Sequence, residues 1–380
     1  MRILYFSRDY TTHDYRFLAK LATPPFEMHF LRLEADGIPY ESRPLPEGVR
    51  VVEWEGGREP ARTPGDWRRL MPAFGRVLER VKPDLIHAGP VPSCGFMAAT
   101  SGFHPLLLMS WGSDLLVDAD RDDSWRRMTR YALSRSDMLV CDSSTVRLKA
   151  QSLLPYPDDR VVQFPWGIDL ATFRPGIGGQ SIRERTGWDG NRIVLSMRTW
   201  EKMYGIDVLL ESFRVAHESA PDLRLLMPGT GSLRETVEGF IVNHGLQDVV
   251  HCPGQVSHSE LVHYFQAADI YMSCAHSDGT SISMLEALGV GVPVIATDIP
   301  SNREWIEPGI NGWLGKAGDP ESFASALLSA SRISEEERAA MRQRNRALAE
   351  EKADWDRNIG KLMAAYTRLV QPGSVRSDAG

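Results

Sequence analysis

The sequence predicts an α/β protein with two domains, each built on a doubly wound parallel sheet. Short apolar runs of strand length alternate with amphipathic segments along most of the chain, which is the pattern of βαβ units. At 380 residues the chain is longer than one ordinary domain. One strand–loop–helix–strand stretch, residues 269–298, shows the pattern most clearly.

Composition and charge narrow the class of protein. A hydrophobic fraction of 42% with 24% charged residues is typical of a soluble globular protein. The formal net charge of −7 disfavours a nucleic-acid partner. Scattered cysteines without a C-x-x-C pair predict buried free thiols in a reducing compartment: Cys94, Cys141, Cys252 and Cys274. Since no signal peptide or membrane-spanning apolar run stands out, we expect a cytoplasmic protein.

The first half reads as alternating strands and helices. Strands are predicted at residues 2–7, 27–33, 49–54, 84–88, 106–111, 138–142 and 161–166. The turn after the first strand, Arg8 to His13, contains no glycine, whereas a dinucleotide-binding domain carries G-x-G-x-x-G there. A nicotinamide-dependent dehydrogenase is therefore disfavoured.

Two basic helical segments need an interpretation. One face of the first segment is apolar: Trp67, Leu70, Phe74, Val77 and Val81. This face can make a weak peripheral contact with an anionic membrane, or the segment is a crossover helix with a solvated basic face, which is the commoner case. The second segment opens with a capping box, Ser334-x-x-Glu337. The stripe of arginines after it is expected to face solvent: Arg338, Arg342 and Arg346.

The second half is organised around residues 269–298. Strands are predicted at residues 192–197, 223–228, 249–253, 269–274 and 293–296, and helices at 322–329, 335–352 and 355–369. Within the central stretch, a strand and a loop precede a helix that ends at Gly289 and Gly291. The loop therefore lies at the carboxyl end of a strand, where open α/β sheets bind ligands.

The polar residues of this loop point to a ligand with an anion between two sets of hydroxyls. Gly279 permits close approach of the backbone to a ligand. The next amides begin the helix and, with its dipole, make an anion site: Thr280, Ser281 and Ile282. Asp278 and Glu286 flank that site and can accept hydrogen bonds from hydroxyls, which suits a nucleotide sugar. The alternative is a helix cap at Ser281 with a solvated Glu286.

These residues resemble a known family. Asp278-x7-Glu286, followed by EALGVGVPVIATD, is similar to the E-x7-E signature of the family 4 retaining glycosyltransferases, which have the GT-B fold. The resemblance implies two Rossmann-like domains facing across a cleft. It also implies that Glu286 holds the donor ribose, that Asp278 contacts the transferred sugar and that the loop amides contact sugar or phosphate. Asp replaces the usual Glu at the first position, so its reach is one methylene shorter.

The strand at 192–197 leads into Arg198-Thr-Trp-Glu-Lys202-Met-Tyr-Gly205. The family has an arginine followed by Lys-Gly here, and both cations neutralise the donor diphosphate. Arg198 matches, whereas Tyr204 precedes Gly205 and Lys202 lies two residues earlier. A relaxed loop can still bring Lys202 to the diphosphate, and the alternative is a charged strand-to-helix loop.

A second glycine-containing loop follows the strand at 223–228. Gly229-Thr-Gly231 is weak as a nucleotide fingerprint because the third glycine is absent. It stands where relatives pass close to the nucleotide. The resemblance therefore adds both glycines to the predicted donor site.

The resemblance also places the domain boundary. The run from Pro165 to Pro175, PWGIDLATFRP, is similar to the family's interdomain connection. We therefore expect an acceptor-side domain at residues 1–170 and a donor-binding domain at 171–354. As in other GT-B proteins, a C-terminal helix at about 355–370 is expected to pack back on the first domain. Residues 371–380 are expected to form a flexible tail.

Three residues of the first half are candidates for the acceptor or sugar side. His13 follows the first strand, although the residues around it can simply form a helix cap. His87 lies in DLIHAGP, which resembles a recurrent family motif, and backbone hydrogen bonding of this histidine is the alternative. Asp114 follows Trp111, which stands where many relatives have a sugar-contacting histidine. Asp114 either orients a sugar hydroxyl or caps the next segment.

The sequence thus predicts a hexosyltransferase-type glycosyltransferase that moves a sugar from a nucleoside diphosphate sugar to an acceptor hydroxyl. The resemblance implies retention of the anomeric configuration. We expect no cofactor and no metal ion, because no metal-ligand cluster stands out. The expected partners are the nucleotide sugar and an acceptor that the sequence does not identify. Two alternatives stay open: an epimerase or phosphorylase of the same fold, and a non-catalytic nucleotide-sugar binding protein.

Overall fold

The computed structural model describes residues 1–34 and 41–371. The chain divides into two compact units. The first contains Met1–Pro165 and the segment from Arg357 onward, and the second contains Trp166–Asp356. Apart from Gln371, the predicted tail lies outside the described residues.

The first unit is built on a parallel sheet with the strand order β3-β2-β1-β4-β5-β6-β7. Its strands are β1 Arg2–Ser7, β2 Glu27–Arg32, β3 Arg50–Val51, β4 Leu85–Gly89, β5 Leu106–Met109, β6 Met138–Cys141 and β7 Val161–Gln163. The central strands are buried along almost their whole length, as expected for a sheet that is covered on both faces. The strand predicted at 49–54 is shorter in the structure, where β3 has only two residues. Both are exposed, because β3 is the outermost strand of the sheet and pairs on one side only.

Helices connect these strands at α1 Thr12–Leu21, α2 Pro64–Val81, α3 Phe96–Thr100, α4 Ser113–Leu116, α5 Asp123–Arg135 and α6 Ser144–Leu153. Short turns of π or 3₁₀ helix lie at Val91–Gly95, Asp118–Asp120 and Asp158–Arg160. Capping boxes at Thr11 and Thr63 begin α1 and α2 by satisfying backbone amides that have no partner within the helix.

Helix α2 does not offer its apolar face to a membrane. Trp67, Phe74 and Val77 of that face are buried in the core of the first unit. The opposite face is charged, and its Arg76 pairs with Glu55 at 2.5 Å between Nη2 and Oε1. The membrane interpretation of this segment is therefore wrong, and the crossover-helix interpretation fits. None of the described helices is long and apolar enough to cross a bilayer.

The second unit is built on another parallel sheet, with the strand order β10-β9-β8-β11-β12-β13. Its strands are β8 Arg192–Leu195, β9 Leu223–Leu226, β10 Val250–His251, β11 Ile270–Ser273, β12 Val294–Thr297 and β13 Gly312–Gly315. Strand β13 was not predicted, since the sequence GWLG is short and begins and ends with glycine. It forms an edge of the sheet by pairing with β12.

The helices of the second unit are α7 Gln180–Thr186, α8 Ile206–Ser219, α9 Arg234–Asn243, α10 His258–Ala267, α11 Ile282–Val290, α12 Pro300–Arg303, α13 Pro320–Ser331 and α14 Glu335–Lys352. A 3₁₀ turn at Lys202–Tyr204 precedes α8. The last helix, α15, spans Trp355–Val370. From Arg357 onward it belongs to the first unit, where Tyr366 is buried and packs edge-on against Phe26.

The arginines of α14 do not form a solvent face, contrary to the sequence-based expectation. Arg338 is buried. Arg346 donates from Nη1 to the carbonyl oxygens of Phe173 and Gly289, at 2.7 Å and 2.9 Å. Arginine can reach carbonyl groups at the end of a neighbouring helix and stabilise them by charge, so this stripe joins α14 to α11.

The predicted fold class is confirmed. Both units are Rossmann-like, with parallel strands and intervening helices. All four cysteines are free. Cys94, Cys141 and Cys274 are buried as expected, whereas Cys252 is only half-buried.

Two glycines of the second unit should respond to alanine in opposite directions. Gly291 ends α11 with φ +88°, and a Cβ there would lie 2.9 Å from the carbonyl oxygen of Arg342. Gly291→Ala should lower the free energy of unfolding by about 1–3 kcal/mol. Gly239 lies inside α9 with open space around its Cβ position, so Gly239→Ala should raise that free energy by about 0.5–1 kcal/mol. Denaturant unfolding measures both free energies. If Gly239→Ala were destabilising, the placement of Gly239 inside α9 with open space around its Cβ would be wrong.

Candidate functional site

The order of strands in the second sheet brings three loops together. Strands β9, β8 and β11 are neighbours and run parallel, so their carboxyl ends lie at the same end of the sheet. The segments that follow these strands therefore begin close together. These segments contain the Gly229–Gly231 turn, Arg198 and the Asp278–Ser281 loop. The residues singled out by the sequence in the second half are thus gathered at one end of the sheet.

Arg198 is at the centre of this cluster. Its side chain is 10% exposed, and Nη2 lies 2.9 Å from Oδ2 of Asp278, whose side chain is 19% exposed. From Nη1 it donates to the hydroxyl oxygen of Ser281 at 2.7 Å. Burial alone would lower the pKa of Arg198, but the adjacent Asp278 carboxylate raises it above its usual range. Arg198 is therefore a permanent cation.

Hydroxyl groups extend the contacts of Arg198 into the core. Ser281 is the N-cap of α11 and accepts from the amide of Met284 at 3.3 Å. Its Oγ also lies 3.2 Å from the Oγ of Ser283, which in turn is 2.7 Å from the hydroxyl of the buried Tyr271. Burial raises the pKa of Tyr271, so this residue stays a neutral phenol. The guanidinium is thereby tied to the first turn of α11.

The start of α11 is suited to an anion. Gly279, Thr280 and Ser281 are buried beside Arg198, and Ile282 is the first helical residue. The first amides of a helix point away from it and carry the positive end of its dipole. Arg198 adds a positive charge at the same place, so both features favour an anion there.

The two carboxylates of the Asp-x7-Glu motif occupy different environments. Asp278 lies in the loop before α11 and pairs with Arg198. Glu286 lies inside α11 and is 8% exposed. The sequence analysis assigned Asp278 to the sugar and did not foresee its ion pair with Arg198.

The structure brings Tyr204, and not Lys202, to Arg198. The guanidinium carbon of Arg198 lies 4.1 Å from the centroid of the Tyr204 ring. Lys202 is exposed in the 3₁₀ turn, and the described structure joins it to neither Arg198 nor Asp278 by a hydrogen bond or ion pair. The sequence contains a signal for this difference, because Tyr204 stands directly before Gly205, at the position where the family has lysine.

The glycine turn after β9 packs against the backbone of the Arg198 loop. Gly229 has φ +124° and donates its amide to Gly254 at 2.7 Å. Thr230 accepts from the amide of Trp200 at 3.0 Å. A Cβ at Gly231 would overlap the carbonyl oxygen of Trp200, so glycine is required there.

Asp114 in the first unit holds two loops together. Its Oδ2 accepts from the amide of Val91 at 2.8 Å, and its Oδ1 accepts from the Ser110 hydroxyl at 2.7 Å. Burial raises the pKa of Asp114 to about 6. These contacts occupy both carboxylate oxygens and give Asp114 a structural role. It does not cap the next segment as the alternative interpretation has it, because Gly112 is the N-cap of α4 and no side chain caps that helix.

His87 is part of the core of the first unit. It lies inside β4, and its Nδ1 hydrogen-bonds the hydroxyl of Tyr366. The Tyr5 ring packs 4.6 Å from it, centroid to centroid. Burial lowers the pKa of His87 to about 3, so it is neutral at physiological pH. A surface contact with a sugar does not fit a histidine that is buried in this way.

His13 is half-buried and lies beside Trp111. Its ring stacks on Trp111, with 5.5 Å between centroids and 30° between planes. Phe17 of α1 contacts the same Trp111 edge-on at 5.8 Å. An aromatic cluster thus joins α1 to the loop after β5, a contact that local sequence spacing does not show.

A metal ion has no evident ligand set in the described part of the chain. Across residues 1–34 and 41–371, no three His, Cys, Asp or Glu side chains are grouped to hold one.

Each half of the chain matches a family model of glycosyltransferases. Residues 180–348 match the family model of glycosyl transferases group 1, and residues 2–143 match that of glycosyl transferase 4-like proteins. A D-inositol 3-phosphate glycosyltransferase from Thermobispora bispora is 24% identical over 246 residues. That match covers 62% of this chain and 57% of the relative, so the chain spans less than two thirds of it.

Solved structures show the same fold over nearly the whole chain. Anabaena HepE in complex with UDP has a TM-score of 0.78 at 16% identity, covering 97% of this chain and 100% of HepE. Sucrose-phosphate synthase from Thermosynechococcus elongatus has a TM-score of 0.80 at 17% identity, covering 97% of this chain and 99% of the synthase. At this identity the likeness concerns the fold.

The raised pKa of Asp114 should make stability depend on pH. Between its ordinary value of 3.8 and about 6, folded Asp114 keeps a proton that the unfolded chain has lost. The free energy of unfolding therefore falls as pH rises through this window. Asparagine does not ionise, so the stability of Asp114→Asn relative to the parent should rise by about 1–3 kcal/mol from about pH 4 to about pH 8.

Asp66, which is partly exposed, provides a control of opposite sign. The Thr63 hydroxyl and amide lower the pKa of Asp66, so its ionised form is favoured in the folded state. The stability of Asp66→Asn relative to the parent should therefore fall as pH rises toward the ordinary value of 3.8, in a window that lies below that of Asp114. Urea unfolding at each pH measures both differences, and a flat profile for Asp114→Asn would contradict the assigned pKa.

Proposed function

We propose that this chain is a glycosyltransferase that moves a sugar from a nucleoside diphosphate sugar to an acceptor hydroxyl. The observation that carries the proposal is Arg198, a permanent cation held at the start of α11 beside Asp278, the first carboxylate of the Asp-x7-Glu motif. The matches to two glycosyltransferase family models support it. The donor is assigned to the second unit, which contains all of these residues.

Arg198 and the first amides of α11 suit the donor diphosphate. When the bond between the anomeric carbon and the phosphate oxygen breaks, the electron pair stays on the diphosphate and its negative charge grows. A fixed cation and a helix N-terminus stabilise that charge more in the transition state than in the bound substrate. In this proposal the protein supplies the charge stabilisation from its own groups, without a metal ion.

The carboxylates are assigned to hydroxyls on either side of the diphosphate. Glu286 holds the donor ribose and Asp278 contacts the transferred sugar, which follows the roles that the E-x7-E resemblance implies. Retention of the anomeric configuration belongs to the same proposal. Asp278 also has a second role in this proposal. Because it forms an ion pair with Arg198, its carboxylate competes with the donor diphosphate for the guanidinium. The first donor to test is a UDP-sugar, since UDP is the ligand of the HepE structure.

Removing the cation should abolish most of the activity. Arg198→Ala should lower the rate of transfer or hydrolysis of the UDP-sugar by about 100-fold or more, because the leaving diphosphate loses its charge partner. Arg214→Ala is the matched control, since Arg214 is also paired with carboxylates but lies on α8. The measurement is release of UDP from UDP-sugar. Near-parental turnover by Arg198→Ala would refute the proposed mechanism.

The two carboxylates should respond differently to bare UDP. Glu286→Gln should weaken UDP binding about tenfold or more, because a charged acceptor for the ribose is lost. Asp278→Asn should bind UDP at least as tightly as the parent, since a negative charge beside Arg198 is removed. Its turnover of UDP-sugar should nevertheless fall. Calorimetry measures the UDP affinity of each variant. If both variants bind UDP equally weakly, both carboxylates hold the ribose and the proposed division of roles is wrong.

A further inference from the structure

Tyr204 contacts the face of the Arg198 guanidinium. The 4.1 Å separation from the ring centroid is that of a cation–π contact. Such attraction is stronger where water is excluded, and the Arg198 side chain is only 10% exposed. Stacking also uses none of the guanidinium N–H groups, so these stay directed at oxygen acceptors.

The backbone around Tyr204 is fixed on both sides. Its amide donates to Glu201 at 2.9 Å, and the amide of His276 donates to the Met203 carbonyl at 3.0 Å. Gly205 has φ +60°, and a Cβ there would overlap the carbonyl oxygen of Cys274. The turn that carries Tyr204 is thus pressed against the end of β11, and the ring has a defined place beside Arg198.

Tyr204 completes the set of groups that surround Arg198. Asp278 and Ser281 bind the guanidinium edge, and Tyr204 covers its face. A lysine at this position would bring a second positive charge within a few ångströms of the first. Tyrosine removes that repulsion and orients the remaining cation.

We infer that Tyr204 is a positioning residue for Arg198, and that this site binds the donor diphosphate through one oriented arginine in place of an arginine–lysine pair. The inference rests on the proposed function, since it concerns the same diphosphate. Lys202 takes no part in the contact. Tyr204 acts through Arg198 and does not itself touch the donor.

The test compares Tyr204→Leu with Tyr204→Phe in the full chain. Leucine keeps an apolar side chain but loses the ring, and we expect about tenfold weaker UDP binding and a lower kcat with UDP-glucose. Phenylalanine keeps the ring and should restore UDP affinity to within about twofold of the parent. If Tyr204→Leu and Tyr204→Phe bind UDP equally well, the inference is wrong.

A double-mutant cycle separates positioning from a general loss of structure. In an Arg198→Ala background, Tyr204→Leu should have no further effect on UDP affinity, because the residue through which Tyr204 acts is gone. A tenfold loss in both backgrounds would show that the ring supports the loop in some other way. Lys202→Ala should change UDP affinity less than Tyr204→Leu does, and an equal loss would restore Lys202 as the second cation.

Failure of this inference is distinguishable from failure of the proposed function. If Arg198→Ala binds UDP as tightly as the parent, Arg198 does not bind the diphosphate and the proposed function fails. Weak UDP binding by Arg198→Ala, together with parental binding by Tyr204→Leu, keeps the diphosphate site and refutes the role of Tyr204.

Discussion

The ion pair between Arg198 and Asp278 is the interaction on which the site in the second unit depends. It joins the loop after β8 to the loop after β11, and both side chains are largely removed from water. A buried guanidinium cannot lose its charge, so it must be compensated where it lies. Asp278 supplies the opposite charge, and Ser281 links the pair to the cap of α11. The position of the cation is therefore set by the start of the helix.

Backbone packing gives this arrangement its precision. Gly205 and Gly231 stand where a side chain would overlap a neighbouring carbonyl group, so each loop approaches the next more closely than other residues permit. The 3₁₀ turn before α8 then presents the Tyr204 ring to Arg198. Because the contacts are made between main chains, the loops resist movement that would misplace the guanidinium, as preorganised binding requires.

The first unit uses its polar residues differently. Asp114 and His87 are buried, and their hydrogen bonds join strands and loops of the same unit. His13 and Trp111 instead form an aromatic pair near the surface. The distinction arises from burial, which raises the pKa of Asp114 and lowers that of His87, so that both resist ionisation.

The sequence by itself determined the fold class, because apolar runs and glycine signals are local properties that every βαβ unit must carry. It also singled out Arg198, Asp278 and Ser281, because each stands in a segment that follows a buried strand, and the carboxyl ends of parallel strands meet at one end of a sheet. Only the tertiary structure decided that Tyr204 reaches Arg198 where Lys202 does not, that Tyr366 bonds His87, and that Arg338 and Arg346 of α14 face inward. These contacts depend on the path of a loop or on residues far apart in the chain, and neither is encoded in local spacing.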